Sequence, residues 1–320
     1  MNVTRIITVK PRGFCAGVDR AIKTVEECLE LFGKPIYIKH EILHNKYVVD
    51  RLHTLGAITV KDLNVVPDGS IVIFSAHGSP PEHYAIAKSK NLRIIDATCP
   101  LVSKVHIFVH LFKKKGYKII YIGHKGHAEA VGVVGESPED IFIVDTIDDV
   151  NSLDVGNAQK LVYLTQTTLS VDDTKGIIRL LKIKYPQLED PLGETICYAT
   201  TNRQNAIKEL AKHVDFILVV GSKFSSNSVR LVETAKGCGV NSILVDGVGD
   251  LNENLFEGIS VVGISSGASV PENLVQDVIN YFVKNGAEKE EIVFLDENVK
   301  FTMPKELRHL KKKLINKPAY

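Results

Sequence analysis

The chain has 320 residues, of which 44% are hydrophobic and 24% are charged, and its formal net charge is +1 at pH 7. These values are ordinary for a globular protein, and the small net charge argues against bulk electrostatic binding to nucleic acid or to an anionic membrane. The apolar runs are shorter than the ~18 residues that indicate a membrane span. We therefore expect neither a nucleic-acid partner nor a membrane partner.

The N-terminal segment MNVTRIITVKPRGFC leads directly into a predicted strand, and we predict no signal or transit peptide in it. Five cysteines without a closely spaced pair do not form the disulfide framework of a secreted domain. We expect a reducing compartment, namely the bacterial cytoplasm, or a plastid-type organelle if a transit peptide has been removed.

Strand-like and helical segments then alternate along the chain. Val18, Ile22, Val25, Leu29 and Phe32 share one face of the first predicted helix. Further strand–helix units follow in PIYIKHEILHNKYVVDRL, GSIVIFSAHGSPPEHYAIAKS, KIIYIGHKGHAEAVGVV, KLVYLTQTTLSVDDTKGIIRLL, FILVVGSKFSSNSVRLVETA and ISVVGISSGASVPENLVQDVINYF. Apolar runs without clean alternation are typical of parallel strands buried on both faces, and ligands bind beyond the carboxyl ends of such strands.

Two features recur at equivalent places in these units. A cysteine precedes a helical pattern three times, at Cys15, Cys99 and Cys197. A helix-capping pattern, Ser-x-x-Asp/Glu, begins a later helix three times, at Ser79, Ser170 and Ser269. The sequence therefore predicts an α/β fold, a trefoil of three pseudo-threefold-related lobes that each contain a small, mostly parallel sheet.

The predicted lobes span residues 1–98, 99–196 and 197–282. The segment 283–320 contains the strand-like run EIVFL and the basic run KELRHLKKK, and we expect it to pack back on the first lobe. We assign this C-terminal segment no functional role.

The three repeated cysteines are candidate metal ligands. Each lies near a predicted helix N-terminus, where free backbone N–H groups favour a thiolate. Three thiolates and a histidine could bind zinc, whereas three thiolates alone suit a 4Fe–4S cluster with one iron left open. The open, polar surroundings favour the cluster. By contrast, Cys28 borders the apolar helix face and Cys238 is predicted to lie in a loop.

Polar side chains at the predicted strand ends form a candidate anion site. Histidines, hydroxyls and an amide near helix N-termini can hold a phosphate or diphosphate, and the candidates are His44, His77, His127, Thr167, Ser225, Ser226, Asn227 and Ser269. Each could also be a helix cap or a turn residue. Glu129, two residues after His127, is the candidate proton donor, and its alternative role is to complement a helix dipole.

The segments PRGFCAGVDRA, HEILHNKYVVD, IFSAHG, DATCPLVSKVH, GHKGHAE, TQTTLSVDDT, ICYATTNRQ and GSKFSSNS resemble the LytB/IspH family. The resemblance runs from about Arg12 to Ser269. It implies an oxidoreductase that uses a central 4Fe–4S cluster to remove the hydroxyl of 4-hydroxy-3-methylbut-2-enyl diphosphate. The products are isopentenyl and dimethylallyl diphosphates, in the last step of the methylerythritol phosphate route to isoprenoids.

The resemblance also implies roles for individual residues. The cluster ligands fall on Cys15, Cys99 and Cys197, with the fourth iron open to substrate or water, and the proton donor falls on Glu129. The diphosphate contacts fall on His44, His77, His127, Ser225, Ser226, Asn227 and Ser269, with Thr167 beside the substrate. The implied electron donor is a ferredoxin or a flavodoxin. Family members often have His-Pro-Glu where this chain has His127-Ala128-Glu129.

Two alternatives remain open at this point. A hydro-lyase would use the same cluster only to polarise a hydroxyl, without consuming electrons. A zinc-stabilised three-lobe protein would bind a phosphorylated ligand without turnover.

Overall fold

A computed structural model describes residues 3–315, which form short strands alternating with helices. The strands are β1 (Arg5–Lys10), β2 (Ile36–Lys39), β3 (Ala57–Val60), β4 (Ile71–Phe74), β5 (Arg93–Asp96), β6 (Lys118–Ile122), β7 (Ile141–Val144), β8 (Leu161–Thr165), β9 (Leu188–Glu189), β10 (Phe216–Val220), β11 (Asn241–Val245), β12 (Val261–Ser266) and β13 (Glu288–Val293). The helices are α1 (Ala16–Phe32), α2 (Lys46–Leu55), α3 (Pro81–Ser89), α4 (Pro100–Lys114), α5 (Ala128–Val134), α6 (Ile147–Ser152), α7 (Val171–Lys184), α8 (Tyr198–Leu210), α9 (Ser226–Gly237), α10 (Glu272–Lys284) and α11 (Lys305–Ile315).

The strands form three small sheets in which every pairing is parallel. Their strand orders are β3-β2-β4-β5, β7-β6-β8-β9 and β11-β10-β12-β1-β13. The central strands are apolar on both faces, as in β10, where all five residues are buried. The predicted fold class, three small parallel α/β units, is confirmed.

A strand near each end of the described chain lies in the third sheet. Strand β1 pairs with β12, placing Ile6 opposite Val262, and with β13 on its other side. The apolar sequence of β1 does not indicate which sheet this strand joins. The predicted first lobe therefore included β1. We now propose three lobes with β1 assigned to the third. The predicted boundaries otherwise stay a proposal, and residues 1–2 and 316–320 lie outside the described part of the chain.

The C-terminal segment contacts two regions. Strand β13 extends the third sheet, whereas helix α11 packs against α1 and β5, and Leu307 is fully buried in the core that contains Ile22 and Val25. The predicted apolar face of α1 is confirmed, because Val18, Leu29 and Phe32 pack against the same core. Among the described helices, none is long and apolar enough to cross a membrane.

Only one of the three predicted serine caps forms. Ser170 caps α7 by accepting a hydrogen bond from the N–H of Asp173 at 3.2 Å. Helices α3 and α10 instead follow Pro80 and Pro271, without a side-chain cap. Proline fixes φ and suits the first positions of a helix, so these helices begin later than the Ser-x-x-Glu pattern predicts. The hydroxyl of Ser269 instead donates to the carbonyl oxygen of His44 at 3.4 Å.

Candidate active site

The three predicted cysteines occupy equivalent places in the structure. They are the residues immediately before α1, α4 and α8. The backbone N–H of each donates to a carbonyl oxygen two residues beyond β12, β4 or β8: Cys15 to Ala268 at 3.1 Å, Cys99 to Ala76 at 3.0 Å and Cys197 to Thr167 at 3.0 Å. The sequence repeat of cysteines therefore corresponds to one connection made three times.

The loops at the carboxyl ends of the strands surround a cavity of about 110 Å³. Every residue predicted for the site lines it: Cys15, His44, His77, Cys99, His127, Glu129, Thr167, Cys197, Ser225, Ser226, Asn227 and Ser269. Residues that are distant in the sequence thus meet in one place, as the carboxyl-end rule for parallel sheets predicts.

The thiols are crowded and partly buried. A Cβ atom at Gly17 would lie 2.6 Å from the Sγ of Cys99 and 3.9 Å from the Sγ of Cys15, so only glycine leaves room for these groups. Burial raises the pKa of Cys99 to about 12 and that of Cys197 to about 11, and the nearby Cys15 adds to both shifts. Thiolates at this site therefore need a cationic partner. Within residues 3–315, no three His, Cys, Asp or Glu side chains are gathered closely enough to hold a single metal ion.

Three imidazoles form a cluster at the cavity wall. The rings of His44 and His77 stack with centroids 4.3 Å apart, and His127 lies 5.3 Å from the first and 5.7 Å from the second. Burial lowers the pKa of all three, to about 3 for His127, and the neighbouring imidazoles lower those of His77 and His127 further. The Nε2 atom of His44 is buried without a hydrogen-bond partner. The cluster is therefore neutral and incompletely hydrogen-bonded, which suits it to receive an anion.

Hydroxyl and amide groups approach the cavity from the third sheet. Ser225 caps α9 by accepting a hydrogen bond from the N–H of Ser228 at 3.4 Å. The alternative prediction that Ser225 is a helix cap is therefore confirmed. The Oδ1 atom of Asn227 accepts the N–H of Ala268 at 2.8 Å, whereas its Nδ2 donor is buried without a partner. The hydroxyl of Ser269 lies 3.4 Å from that of Ser225. Unpartnered donors near a helix N-terminus are favourable for phosphate oxygens.

Glu129 is a buried carboxyl, only 2% exposed, in the first turn of α5. Its Oε1 atom accepts the N–H of Thr167 at 2.7 Å, and its Oε2 atom accepts the Thr167 hydroxyl at 2.8 Å. Burial raises the pKa of Glu129 to about 7, although the two hydrogen bonds from Thr167 oppose the shift. A carboxyl with such a pKa is protonated in part at neutral pH and can act as a general acid.

The sequence profile described as LytB protein matches residues 6–283. The chain belongs to the LytB family. It is 49% identical over 308 residues to the 4-hydroxy-3-methylbut-2-enyl diphosphate reductase of Histophilus somni strain 2336, covering 95% of this chain and 98% of that relative. It is 47% identical over 306 residues to the enzyme of the same name from Mycobacterium ulcerans strain Agy99, covering 95% of this chain and 92% of that relative.

Two solved structures of reductases resemble the fold. The (E)-1-hydroxy-2-methyl-but-2-enyl-4-diphosphate reductase of Plasmodium falciparum superposes with a TM-score of 0.95 at 42% identity, covering 98% of this chain and all of that structure. A structure described as (E)-4-hydroxy-3-methyl-but-2-enyl diphosphate reductase, the terminal enzyme of the non-mevalonate pathway, gives 0.64 at 32% identity, covering 88% of this chain and all of that structure.

The departure from the frequent LytB family pattern at Ala128 leaves the local structure intact. Ala128 is the first residue of α5, a position where proline and alanine are both tolerated. The side chain of His127 still caps the helix, since its Nδ1 atom accepts the N–H of Glu129 at 3.1 Å. The acid therefore keeps its place without the proline.

Sequence reasoning missed several residues of this LytB site. Gly17, Thr168 and Thr200 also line the cavity. The Thr200 hydroxyl lies 3.1 Å from the Sγ of Cys197, and the Thr168 hydroxyl donates to Ser226 at 3.1 Å. The only sequence signal was their closeness to Cys15, Thr167 and Cys197. The interpretation of the other cysteines is confirmed, because Cys28 is fully buried in the core and Cys238 is exposed at the end of α9.

Proposed function

We propose that the protein catalyses the reductive dehydroxylation of 4-hydroxy-3-methylbut-2-enyl diphosphate to isopentenyl and dimethylallyl diphosphates. Two electrons and two protons are consumed for each substrate, one C–O bond breaks, one C–H bond forms and water leaves. The main support for this proposal is that one cavity combines three thiols, a neutral histidine cluster and a single buried acid. Membership of the LytB family supports the choice of substrate.

A 4Fe–4S cluster suits the thiols of Cys15, Cys99 and Cys197, with the fourth iron open to substrate or water. Three observations support this fit: the thiols converge from three helix N-termini, Gly17 leaves space beside them, and two of them need a cation to ionise. When bound, such a cluster passes electrons one at a time and provides a Lewis-acidic iron.

The diphosphate binds, in this proposal, where the unpartnered donors lie. His44, His77 and His127 supply ring N–H groups, and the anion raises their pKa values toward protonation. The hydroxyls and the amide of Ser225, Ser226, Asn227 and Ser269 supply further hydrogen bonds. The charged end of the substrate is thereby fixed, which orients its hydroxyl end within the same cavity.

Glu129 is the proton donor in this proposal. With the carboxyl protonated, its O–H can donate to the hydroxyl of Thr167, which can then donate toward the substrate. The 2.8 Å contact between these two groups supports a relay of this kind. The buried position of Glu129 keeps competing water away from the acid.

The electrons come from a separate protein, and we propose a ferredoxin or a flavodoxin. Such donors work in a reducing compartment, as the five free thiols also favour. The expected location is the bacterial cytoplasm or a plastid-type organelle.

The deciding experiment is anaerobic turnover of the reconstituted protein with the substrate and reduced methyl viologen. Bleaching of viologen that depends on substrate, with both products formed, is the expected result. Product release from a fully loaded protein without viologen oxidation would favour the hydro-lyase. One zinc per chain, with neither iron–sulfur absorption nor turnover, would favour the binding protein.

The ligand assignment is tested separately by iron and sulfide analysis of single cysteine variants. Serine at position 15, 99 or 197 should abolish cluster assembly. The matched controls Cys28→Ser and Cys238→Ser should assemble a full cluster, because one residue is core and the other is exposed. A full cluster in Cys99→Ser would contradict the assignment.

A further inference from the structure

Two buried arginines lie behind the cysteine loops rather than in the central cavity. Arg20 in α1 is 8% exposed, and Arg203 in α8 is 1% exposed. They line two clefts next to the cavity, and Cys15 contributes to both the cavity and the cleft of Arg203. Buried guanidinium groups need a structural reason, because removing a charge from water is unfavourable.

Arg203 lies in α8, the helix that follows Cys197, and connects it to the loop of Cys15 and to the C-terminal segment. Its guanidinium donates to the carbonyl of Gly13 at 2.8 Å and to that of Ala199 at 3.1 Å. Gly13 lies two residues before Cys15, and Ala199 lies two residues after Cys197. The same guanidinium donates to both carboxylate oxygens of Glu297 at 3.1 Å.

Arg20 makes the corresponding connection for the third cysteine. It donates to the carbonyls of Ala97 and Thr98 at 3.0 Å, directly before Cys99. Its Nε atom donates to the carbonyl of Thr302 at 2.8 Å. Residues 297–302, to which the sequence assigned no role, are thus tied to the loops of Cys15 and Cys99 and, through Arg203 itself, to the helix that follows Cys197.

The two arginines differ in how their charges are balanced. Arg203 forms an ion pair with Glu297. For Arg20, no carboxylate among the described residues lies within the 4.0 Å ion-pair distance, and its partners are neutral carbonyls. Burial lowers the pKa of Arg20, and Cys99 is the foremost acidic neighbour that opposes this shift. Asp96 and Glu306 oppose it less, so an anionic group at Cys99 would be the foremost of the counter-charges near Arg20.

We propose that Arg20 and Arg203 are positioning residues that bind segment 297–302 to the loops of Cys15 and Cys99 and to the helix that follows Cys197, and that Arg20 places a positive charge next to the cluster at Cys99. This inference rests on the cluster proposed above. A nearby positive charge favours the more negative, reduced state of a cluster and raises its reduction potential. Loss of either arginine should also loosen the loops and speed loss of the cluster.

The test uses full-length, reconstituted protein and two readouts, the midpoint potential of the cluster and its rate of loss to a chelator. Arg20→Met should shift the midpoint potential to more negative values. Arg20→Lys keeps the charge, so its midpoint potential should stay close to that of wild type. Glu297→Gln leaves Arg203 without its counter-charge and should shift the midpoint potential to more positive values. Arg203→Met should lose the cluster several-fold faster than wild type. The control is Arg179→Met, which removes an exposed positive charge on α7 and should match wild type in both readouts.

The possible outcomes separate this inference from the proposed function. If Arg20→Met and Arg203→Met show the wild-type midpoint and the wild-type rate of cluster loss, the inference is wrong. The proposed cluster and the proposed function are unaffected by that result. Absence of iron and sulfide in wild-type protein after reconstitution would overturn both. Should Arg20→Met fail to fold by circular dichroism, Arg20→Gln decides the question, because it keeps hydrogen-bond donors and removes the charge, and an unchanged midpoint in that variant contradicts the charge argument.

Discussion

Thr167 binds Glu129 with both its backbone N–H and its hydroxyl, at 2.7 Å and 2.8 Å. The carbonyl of the same threonine accepts the N–H of Cys197 at 3.0 Å. One residue therefore holds the proposed acid and the start of a cysteine-bearing helix in fixed relation. The position of the acid and the position of a proposed cluster ligand depend on the same short loop after β8.

Replacing Thr167 by valine should change the pH dependence of turnover. The hydroxyl opposes the rise in the pKa of Glu129, so its removal should raise that pKa above about 7. A general acid works in its protonated form, so the fall of kcat with rising pH should move to higher pH. The maximal rate should drop by roughly tenfold or more because the relay is broken.

The matched control for this change is Thr168→Val. Thr168 also lines the cavity, but its hydroxyl donates to Ser226 and does not contact Glu129. The pH at which kcat falls should stay at its wild-type value in this variant. Identical pH profiles for the Thr167 and Thr168 variants would contradict the role of Thr167.

Replacing Glu129 by glutamine should slow turnover strongly while making the fold less sensitive to high pH. The carboxyl has its ordinary pKa of 4.5 when unfolded and about 7 when folded, so the folded state binds more protons in this interval. The stability that protonated Glu129 contributes is therefore lost as pH rises through about 7. Between about pH 5 and about pH 8, the free energy of unfolding of wild type should fall about 2 kcal/mol more than that of the variant.

Denaturant titrations of both proteins across this pH range would measure the difference. Asp277→Asn removes an exposed carboxylate on α10 and should follow wild type at every pH. Parallel curves for wild type and Glu129→Gln would show that Glu129 does not titrate near neutrality.

The periodic features of the chain were predictable from sequence. The face of α1 that contains Ile22 and Val25 follows the 3.6-residue period, and the three cysteines precede helices as their repeated context predicts. The carboxyl-end rule then placed the site residues around one cavity, although their roles stay a prediction.

Features set by tertiary pairing were not predictable. Strand β1 lies between β12 and β13 in the third sheet, and nothing in the sequence of β1 specifies these two partner strands. Arg20 and Arg203 lie in segments that resemble the family, but the sequence does not show their contacts with Thr302 and Glu297 from the end of the chain. The caps predicted at Ser79 and Ser269 failed because the prolines that follow move the helix starts.

Adding a single methyl group at Gly17 should prevent cluster assembly. In Gly17→Ala the new Cβ would lie 2.6 Å from the Sγ and 3.4 Å from the Cβ of Cys99, too close for the thiol to keep its place. Gly176→Ala is the matched control, since its Cβ would meet nothing within 4 Å in α7 and alanine favours a helix by roughly 0.5–1 kcal/mol. Iron and sulfide per chain should be low in the first variant and full in the second. A full cluster in Gly17→Ala would mean that Cys99 can move freely.

Binding of a diphosphate should draw protons into the histidine cluster. Burial lowers the pKa of His44, and that of His127 falls to about 3, so both are neutral before an anion arrives. An anion raises these pKa values, so binding is accompanied by proton uptake and weakens as pH rises. His44→Ala should reduce the uptake and raise KM as well as lowering kcat, because the contact contributes already in the ground state.

Calorimetry with inorganic pyrophosphate, in two buffers of different ionisation enthalpy, measures the protons taken up. His53→Ala is the control, because His53 is exposed on α2 and its ring contacts the Thr59 hydroxyl at 2.8 Å, away from the cavity. Wild type and the control should show the same uptake, and His44→Ala should show less. Equal uptake in all three would mean that His44 takes up no proton when the anion binds, and would contradict its proposed contact with the diphosphate.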